Sequence, residues 1–231
     1  MKLHISAGGM GTRISDYINS NYDSNIPKHL LPLPNKLTLL DEVVKNALVF
    51  FDSVTIWVNS SNFELISSSM ENYKSIEVKI DKEMTGPLGP VIREVLSCRE
   101  VSFGCAGDFY CDFSWKNFYK FHQQSESSIS ILTTKSVSTH KGARFHLSGR
   151  VIESWERVDI TTAQDFINIG CYIINPDAKV FSDLTNLVKH KEDEFFDIFI
   201  PKRVISGYNP GSLGFNVNTP DVYKHLVDYL S

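Results

Sequence analysis

From the amino terminus to Gln124, short runs rich in β-branched and aromatic residues alternate with longer stretches carrying a helical apolar stripe, and this rhythm restricts the fold most. Residues 3–5, 54–58, 76–80, 101–106 and 129–133 read as strands. Residues 38–50, 62–73, 89–97 and 115–124 read as helices; in the first, Leu39, Leu40, Val43, Val44, Ala47 and Leu48 form the stripe behind Thr38, a capping residue. Such β-α-β-α order predicts an α/β fold: a Rossmann-like mixed, mostly parallel twisted sheet flanked by helices.

The rhythm changes after Ser138. Residues 144–147 and 150–155, joined through Ser148-Gly149, have the pattern of a hairpin, and 166–174 that of another strand, so a small antiparallel insertion lying over the sheet is expected at about 138–175. Helices are expected at 177–190 and 192–199, and strands at 204–208 and 214–217. A last helix starts near Thr219, with Pro220 in its first turn and Asp221 near the positive end of its dipole. At 231 residues the chain suits one domain with a substantial core.

A net charge of −4 gives no global basic field for nucleic acid. No apolar run is long enough to span a bilayer, and the chain opens on a strand rather than a leader, so a soluble, cytoplasmic protein without a membrane partner is expected. Cys98, Cys105, Cys111 and Cys171 lack zinc-site spacing and read as reduced core thiols.

The chemistry concentrates where the first strand ends, at Ala7-Gly8-Gly9-Met10-Gly11-Thr12-Arg13, followed by Pro27-Lys28. Glycines let a backbone approach a polyphosphate closely and aim N–H groups at it. Arg13 and Lys28 add positive charge. The third spaced glycine of the dinucleotide fingerprint and the Gly-Lys-Ser/Thr of a Walker loop are both missing. By its glycines alone, this turn needs no ligand. Asp108, after Gly107, stands at the carboxyl end of a parallel strand, where open α/β sheets bind ligands; facing a phosphate loop, a carboxylate there suits Mg²⁺.

Taken in order, these segments resemble the sugar-phosphate nucleotidylyltransferases. The residues from Ala7 to Arg13 with Pro27-Lys28 resemble the family's opening signature, Gly107-Asp108 its metal-binding strand end, Asn168-Ile169-Gly170 its sugar-contacting strand, and Asn218-Thr219-Pro220-Asp221 its closing turn. The resemblance implies Mg²⁺-dependent transfer of a nucleoside monophosphate from an NTP to a sugar 1-phosphate. Arg13, Lys28 and Asp108 would be catalytic. Ala7, Gly8, Gly9, Gly11, Thr12, Gly107 and the Pro87-Leu88-Gly89 turn, within a base-contacting segment at 84–90, would bind nucleotide. Glu156 would take sugar hydroxyls and Arg157 the sugar phosphate, with Asn168 and Gly170 beside them; Asp108 and Asn216 would hold the metal, Asn216 standing where many members have aspartate. Relatives often assemble, so a homo-oligomer is compatible. Gly86-Pro87-Leu88 and residues 216–220 also resemble molybdenum-cofactor nucleotidyltransferases, which keeps open a non-sugar acceptor of the phosphocholine or molybdopterin type. A non-catalytic nucleotide-sugar-binding regulator is the reading from another class.

Overall fold

The computed structural model describes all residues except 23–25, 84–85, 137–141, 159–164 and 188–190. β1 (Lys2–Ser6) runs through the glycine segment into α1 (Ser15–Asn21), a 3-10 turn (Lys28–Leu30) and α2 (Leu39–Leu48). β2 (Ser53–Val58), α3 (Phe63–Met70), β3 (Ile76–Ile80), α4 (Leu88–Cys98) and β4 (Ser102–Ala106) complete the alternating half. Then come β5 (Phe109–Cys111), α5 (Trp115–Gln124), β6 (Ile129–Ser136), β7 (Gly142–Ser148), β8 (Val151–Val158) and β9 (Phe166–Ile174). The chain ends with α6 (Phe181–Leu184), α7 (Glu192–Phe199), β10 (Ile205–Tyr208), β11 (Leu213–Asn216) and α8 (Pro220–Leu230).

The strands form one mixed sheet ordered β3-β2-β1-β4-β9-β7-β8-β10-β6-β11-β5. Its first four strands are parallel, with β1 between β2 and β4. From β1 the chain moves outward to β2 and β3, then returns to the other side of β1 for β4. Connections leaving β1 and β4 therefore part in opposite directions, which opens a crevice at the carboxyl ends of those two strands. Gly104 of β4 admits α4 closely: a Cβ there would stand 2.8 Å from the Val91 Cβ. α2 starts as its sequence directs, with a capping box in which Thr38 and Asp41 satisfy each other's backbone N–H groups, a device worth about 1 kcal/mol. Leu39, Leu40, Val43, Val44 and Ala47 are its buried stripe.

Three expectations change. The hairpin does form, turning through Gly149 at φ +60°, but it does not lie over the sheet: β7 pairs with β9 and β8 with β10, so both are members of it. Unpaired strand edges are costly, and joining the sheet satisfies them. The start of that insertion at Ser138 lies outside the described residues, as does Met84. The helix expected over 177–190 is only α6, whose surroundings are rich in Ser, Asp, Thr and Asn, side chains that compete with the helical backbone; 188–190 are not described. Finally, α1 and β5 have no counterpart in the sequence reading. α1 buries only Ile18, too little to make a stripe, and β5 is three residues long.

Candidate functional site

The glycine segment is tied down by its neighbours. Ala7 N–H donates to the Trp57 carbonyl (2.7 Å), Asn59 Nδ2 donates to the Gly8 carbonyl (2.9 Å), and the exposed Thr12 accepts from Ser15 Oγ through its carbonyl (2.9 Å). Gly107 N–H bonds to the Ser6 carbonyl (2.8 Å), and a Cβ on Gly107 would stand 3.1 Å from the Ala7 Cβ, so the ends of β1 and β4 are drawn together. The 3-10 turn then lays the Lys28 stem over the loop: Cβ atoms built on Gly9 and Gly11 would meet it at 3.4 and 3.5 Å. Gly11, at φ +64°, needs its glycine.

Lys28 is buried, and its Nζ binds the Asp108 carboxylate and Asn218 Oδ1 (2.9 Å). Burial pushes the Asp108 carboxyl up, but the charge of Lys28, that of His29 once acid protonates it, and the bonds from Lys28 and the backbone outweigh it, so its pKa falls below the usual carboxylate value. His29 itself is pushed down to about 4, first by burial and then by Lys28, and His4 also to about 4, first by burial. Both are neutral near neutral pH, which removes them as charged groups. Burial raises the Cys111 thiol to about 11, so it is no nucleophile.

Asp108 connects β4 directly to β5, whose Phe109 pairs with Asn216 of β11, and Val217 N–H donates to the Asp108 carbonyl (2.8 Å). Asp108 and Asn216 therefore stand on neighbouring strand ends. Asn216 Oδ1 accepts from Asn218 Nδ2 (2.5 Å). Among the described residues no cluster of three or more His, Cys, Asp or Glu could hold a metal unaided. One carboxylate and one amide are hard oxygen donors that fit Mg²⁺ when phosphate supplies the remaining oxygens.

Arg13, Pro87, Asp108, Arg157, Asn168, Gly170 and Asn216 line one cavity of about 610 Å³ together with Asn218, Glu192 and Asp193. Gly9, Gly11 and Lys28 border a second cavity of about 510 Å³ on the α1 and α3 side. Leu88 belongs to the apolar core and Gly89 is buried in α4, so of that turn only Pro87 reaches the larger cavity.

The far wall of this cavity is built by an irregularity in β9. Ile131 faces Tyr172 and Thr133 faces Asn168, so residues 169–171 bulge against Leu132 alone. Gly170 turns the bulge at φ +82°, where a Cβ would lie 3.0 Å from the Ala106 Cβ. The bulge brings Asn168 and Tyr172 together. Asn168 Oδ1 accepts from Gly170 N–H (2.8 Å), and its Nδ2 donates to Tyr172 Oη (2.6 Å) and Glu192 Oε1 (3.1 Å). Tyr172 also donates to Glu192 Oε1. Burial pushes the Glu192 carboxyl up, and the bonds from Tyr172 and Asn168 only partly reverse it.

Glu156 requires a correction. Adjacent strand residues face opposite sides, so Glu156 and Arg157 cannot share a pocket. Arg157 takes the cavity side, where it pairs with Asp193 and covers the Trp155 ring at 5.7 Å. Glu156 is turned away, bound by Arg144 (2.6 and 3.0 Å) and 3.0 Å from His146. The sequence reading named the closing turn that carries Asn218 but gave that residue no role of its own, and it missed Tyr172, Glu192 and Asp193. The run Glu192-Asp193-Glu194 was a visible signal, but acids in a first helical turn are also explained by the dipole.

A glycine loop after β1 and a lysine-bound aspartate after β4 meet at the switch point of the parallel strands, where open α/β sheets bind their ligands. Residues 4–216 match the family described as nucleotidyl transferase, and the chain belongs to that family. It is 25% identical to a mannose-1-phosphate guanyltransferase of Kluyveromyces lactis over 100% of this chain and 65% of that protein. It is 30% identical to the mannose-1-phosphate guanylyltransferase catalytic subunit beta of Danio rerio over 76% of this chain and 50% of that protein. The chain thus spans under two thirds of either relative. In fold it resembles a Bacillus anthracis crystal structure, solved with sucrose and provisionally named a glucose-1-phosphate thymidylyltransferase: TM-score 0.79, 15% identity, covering 100% of this chain and 95% of that one. Among the described residues no helix is long and apolar enough to cross a membrane.

Proposed function

We propose that the protein transfers a nucleoside monophosphate from an NTP to a sugar 1-phosphate and releases pyrophosphate, and that GTP with mannose 1-phosphate is the first pair to test, on the names of its two curated relatives. The observation that carries this is the buried Lys28, held by Asp108 and Asn218 beside the glycine loop. An ammonium group has three N–H donors. Two are spent on Asp108 and Asn218, which fixes where the third can meet a phosphate. Arg13, which lines the larger cavity with Asp108 and Asn218, would take the departing pyrophosphate, and the N–H groups of the glycine loop, which borders the second cavity with Lys28, would take the nucleotide.

The sugar phosphate is already ionised near neutral pH, so its oxygen attacks the α-phosphorus without a general base, and the neutral His4 and His29 are consistent with that. The rate would come from in-line positioning and from charge neutralisation. Mg²⁺ held by Asp108 and Asn216 would neutralise phosphate oxygens when bound. Arg157, half-exposed beside Asp193, offers a fork for the acceptor phosphate. The carboxylates of Glu192 and Asp193 favour a hydroxyl-rich acceptor over an alkyl or pterin one.

The test is pyrophosphate release from the full chain with Mg²⁺, first with GTP and mannose 1-phosphate, then across the common triphosphates and sugar 1-phosphates. Turnover that disappears in Lys28→Ala supports the reading. Silence across the panel from folded protein sinks it.

A further inference from the structure

The acceptor wall holds a carboxylate that nothing else in the site accounts for. Glu192 stands at the start of α7 and lines the larger cavity opposite Asp108. Its two oxygens are in unequal positions. Oε1 accepts from the Tyr172 hydroxyl and from Asn168 Nδ2, which pin the carboxylate in plane and in rotamer. Oε2 has no hydrogen-bond partner among the described residues, and Glu192 is only partly buried and lines the cavity. Asn168, whose carbonyl oxygen is bound to Gly170 N–H, spends its amide on holding Glu192. A carboxylate oxygen is acceptor-only. A molecule in this cavity can bring a donor to Oε2, and the donors of a sugar phosphate are its hydroxyls.

We propose that Glu192 is a specificity-determining residue, its free carboxylate oxygen accepting one hydroxyl of the acceptor sugar, with Tyr172 and Asn168 as positioning residues behind it. This rests on the sugar 1-phosphate reading above and moves the role expected of Glu156 to another element. Arg157 cannot serve in Glu192's place, because it is a donor and is paired with Asp193.

The experiment compares wild type and Glu192→Gln on one sugar 1-phosphate and its set of monodeoxy analogues, beginning with mannose 1-phosphate and GTP. A hydrogen bond to a charged group is worth about ten- to a hundredfold. In wild type, one deoxy position should therefore lose about ten- to a hundredfold in kcat/KM, mostly through KM. In Glu192→Gln the penalty at that position should shrink to about twofold while the other positions keep theirs. Gln preserves size and an acceptor for Tyr172 and Asn168, and a melting curve confirms its fold. Tyr172→Phe, which removes one constraint on Oε1, should weaken the same positional penalty without abolishing turnover. An unchanged deoxy pattern in Glu192→Gln, or a uniform loss at every position, overturns the proposal. If wild type turns over no sugar 1-phosphate at all, the functional reading fails instead, and the two failures are thereby told apart.

Discussion

The two walls of the proposed site, one shared with the second cavity and one within the large cavity, are made in different ways. The wall proposed for the nucleotide, between the two cavities, joins backbone turns to one buried ion pair: the loop after β1, the connection after β4, and Lys28 bound to Asp108. The acceptor wall is made of side chains from β8, β9 and α7, and what each contributes depends on which way it faces. Glycine, lysine and aspartate have few substitutes in the first wall. In the second, a shift of one residue along a strand changes the role, as Glu156 and Arg157 show.

The strongest test of this contrast is Lys28→Met. It strands Asp108 as an uncompensated buried carboxylate, so stability should fall by about 3–5 kcal/mol in urea unfolding. Pyrophosphate release should drop by about a hundred- to a thousandfold. Adding Asp108→Leu should restore part of the stability and none of the activity. If Lys28→Met unfolds like wild type, the nucleotide wall does not depend on that pair.

The same contrast explains what could be read in the sequence. The alternating half was legible because its strands and helices repeat a simple period, the loop and Asp108 because strand ends fix their positions, and Lys28, in a 3-10 turn, because Pro27-Lys28 resembles the family's opening signature. The bulge in β9 was not. A run such as Phe166–Ile174 reads as a continuous strand, and only the pairing with β6 shows that residues 169–171 stand against one partner. Asn168 and Gly170 were named for the sugar phosphate; both line the cavity, yet the Asn168 side chain is spent on Glu192, which lies 24 positions away. Such pairings are set by tertiary packing, not by local pattern. α1 escaped notice for the opposite reason, since a helix with one buried residue leaves no stripe.

Next in size is Gly170→Ala against Gly11→Ala, one from each wall. Both positions have positive φ, so each substitution should cost about 1–3 kcal/mol of backbone strain. Gly170→Ala should cost more, because its Cβ also crowds Ala106 at 3.0 Å, whereas the Cβ at Gly11 makes an ordinary contact with Lys28 at 3.5 Å. Urea unfolding of the two variants measures the difference; equal losses would mean that the bulge relaxes.

The walls should also answer pH in opposite senses. Asp108 has a folded pKa below its unfolded one, so its contribution is complete above the ordinary carboxylate range and is lost as pH falls through that range and on through the folded value. Glu192 has a folded pKa above its unfolded one, so stability declines as pH rises from the ordinary carboxylate range through the raised value. Melting temperatures of wild type minus Asp108→Asn should therefore rise with pH from about 2 to 5, and those of wild type minus Glu192→Gln should fall from about 4 upward. Two curves of the same sign would remove the distinction.

The smallest effect is the sharpest check on strand phase. Glu156 and Arg157 are neighbours, and a reading by motif gives both a place on the sugar. The fold gives Glu156 a solvent-facing cluster with Arg144 and His146, where exposed ion pairs contribute little because water screens them and long side chains lose freedom in making them. Glu156→Gln should therefore leave kcat/KM for the sugar 1-phosphate within about twofold of wild type, since it removes only a screened surface pair. Arg157→Ala should raise KM by about tenfold or more, the loss of one charge-assisted bond to phosphate. A Glu156→Gln variant as impaired as Arg157→Ala would mean that β8 presents its other face to the substrate.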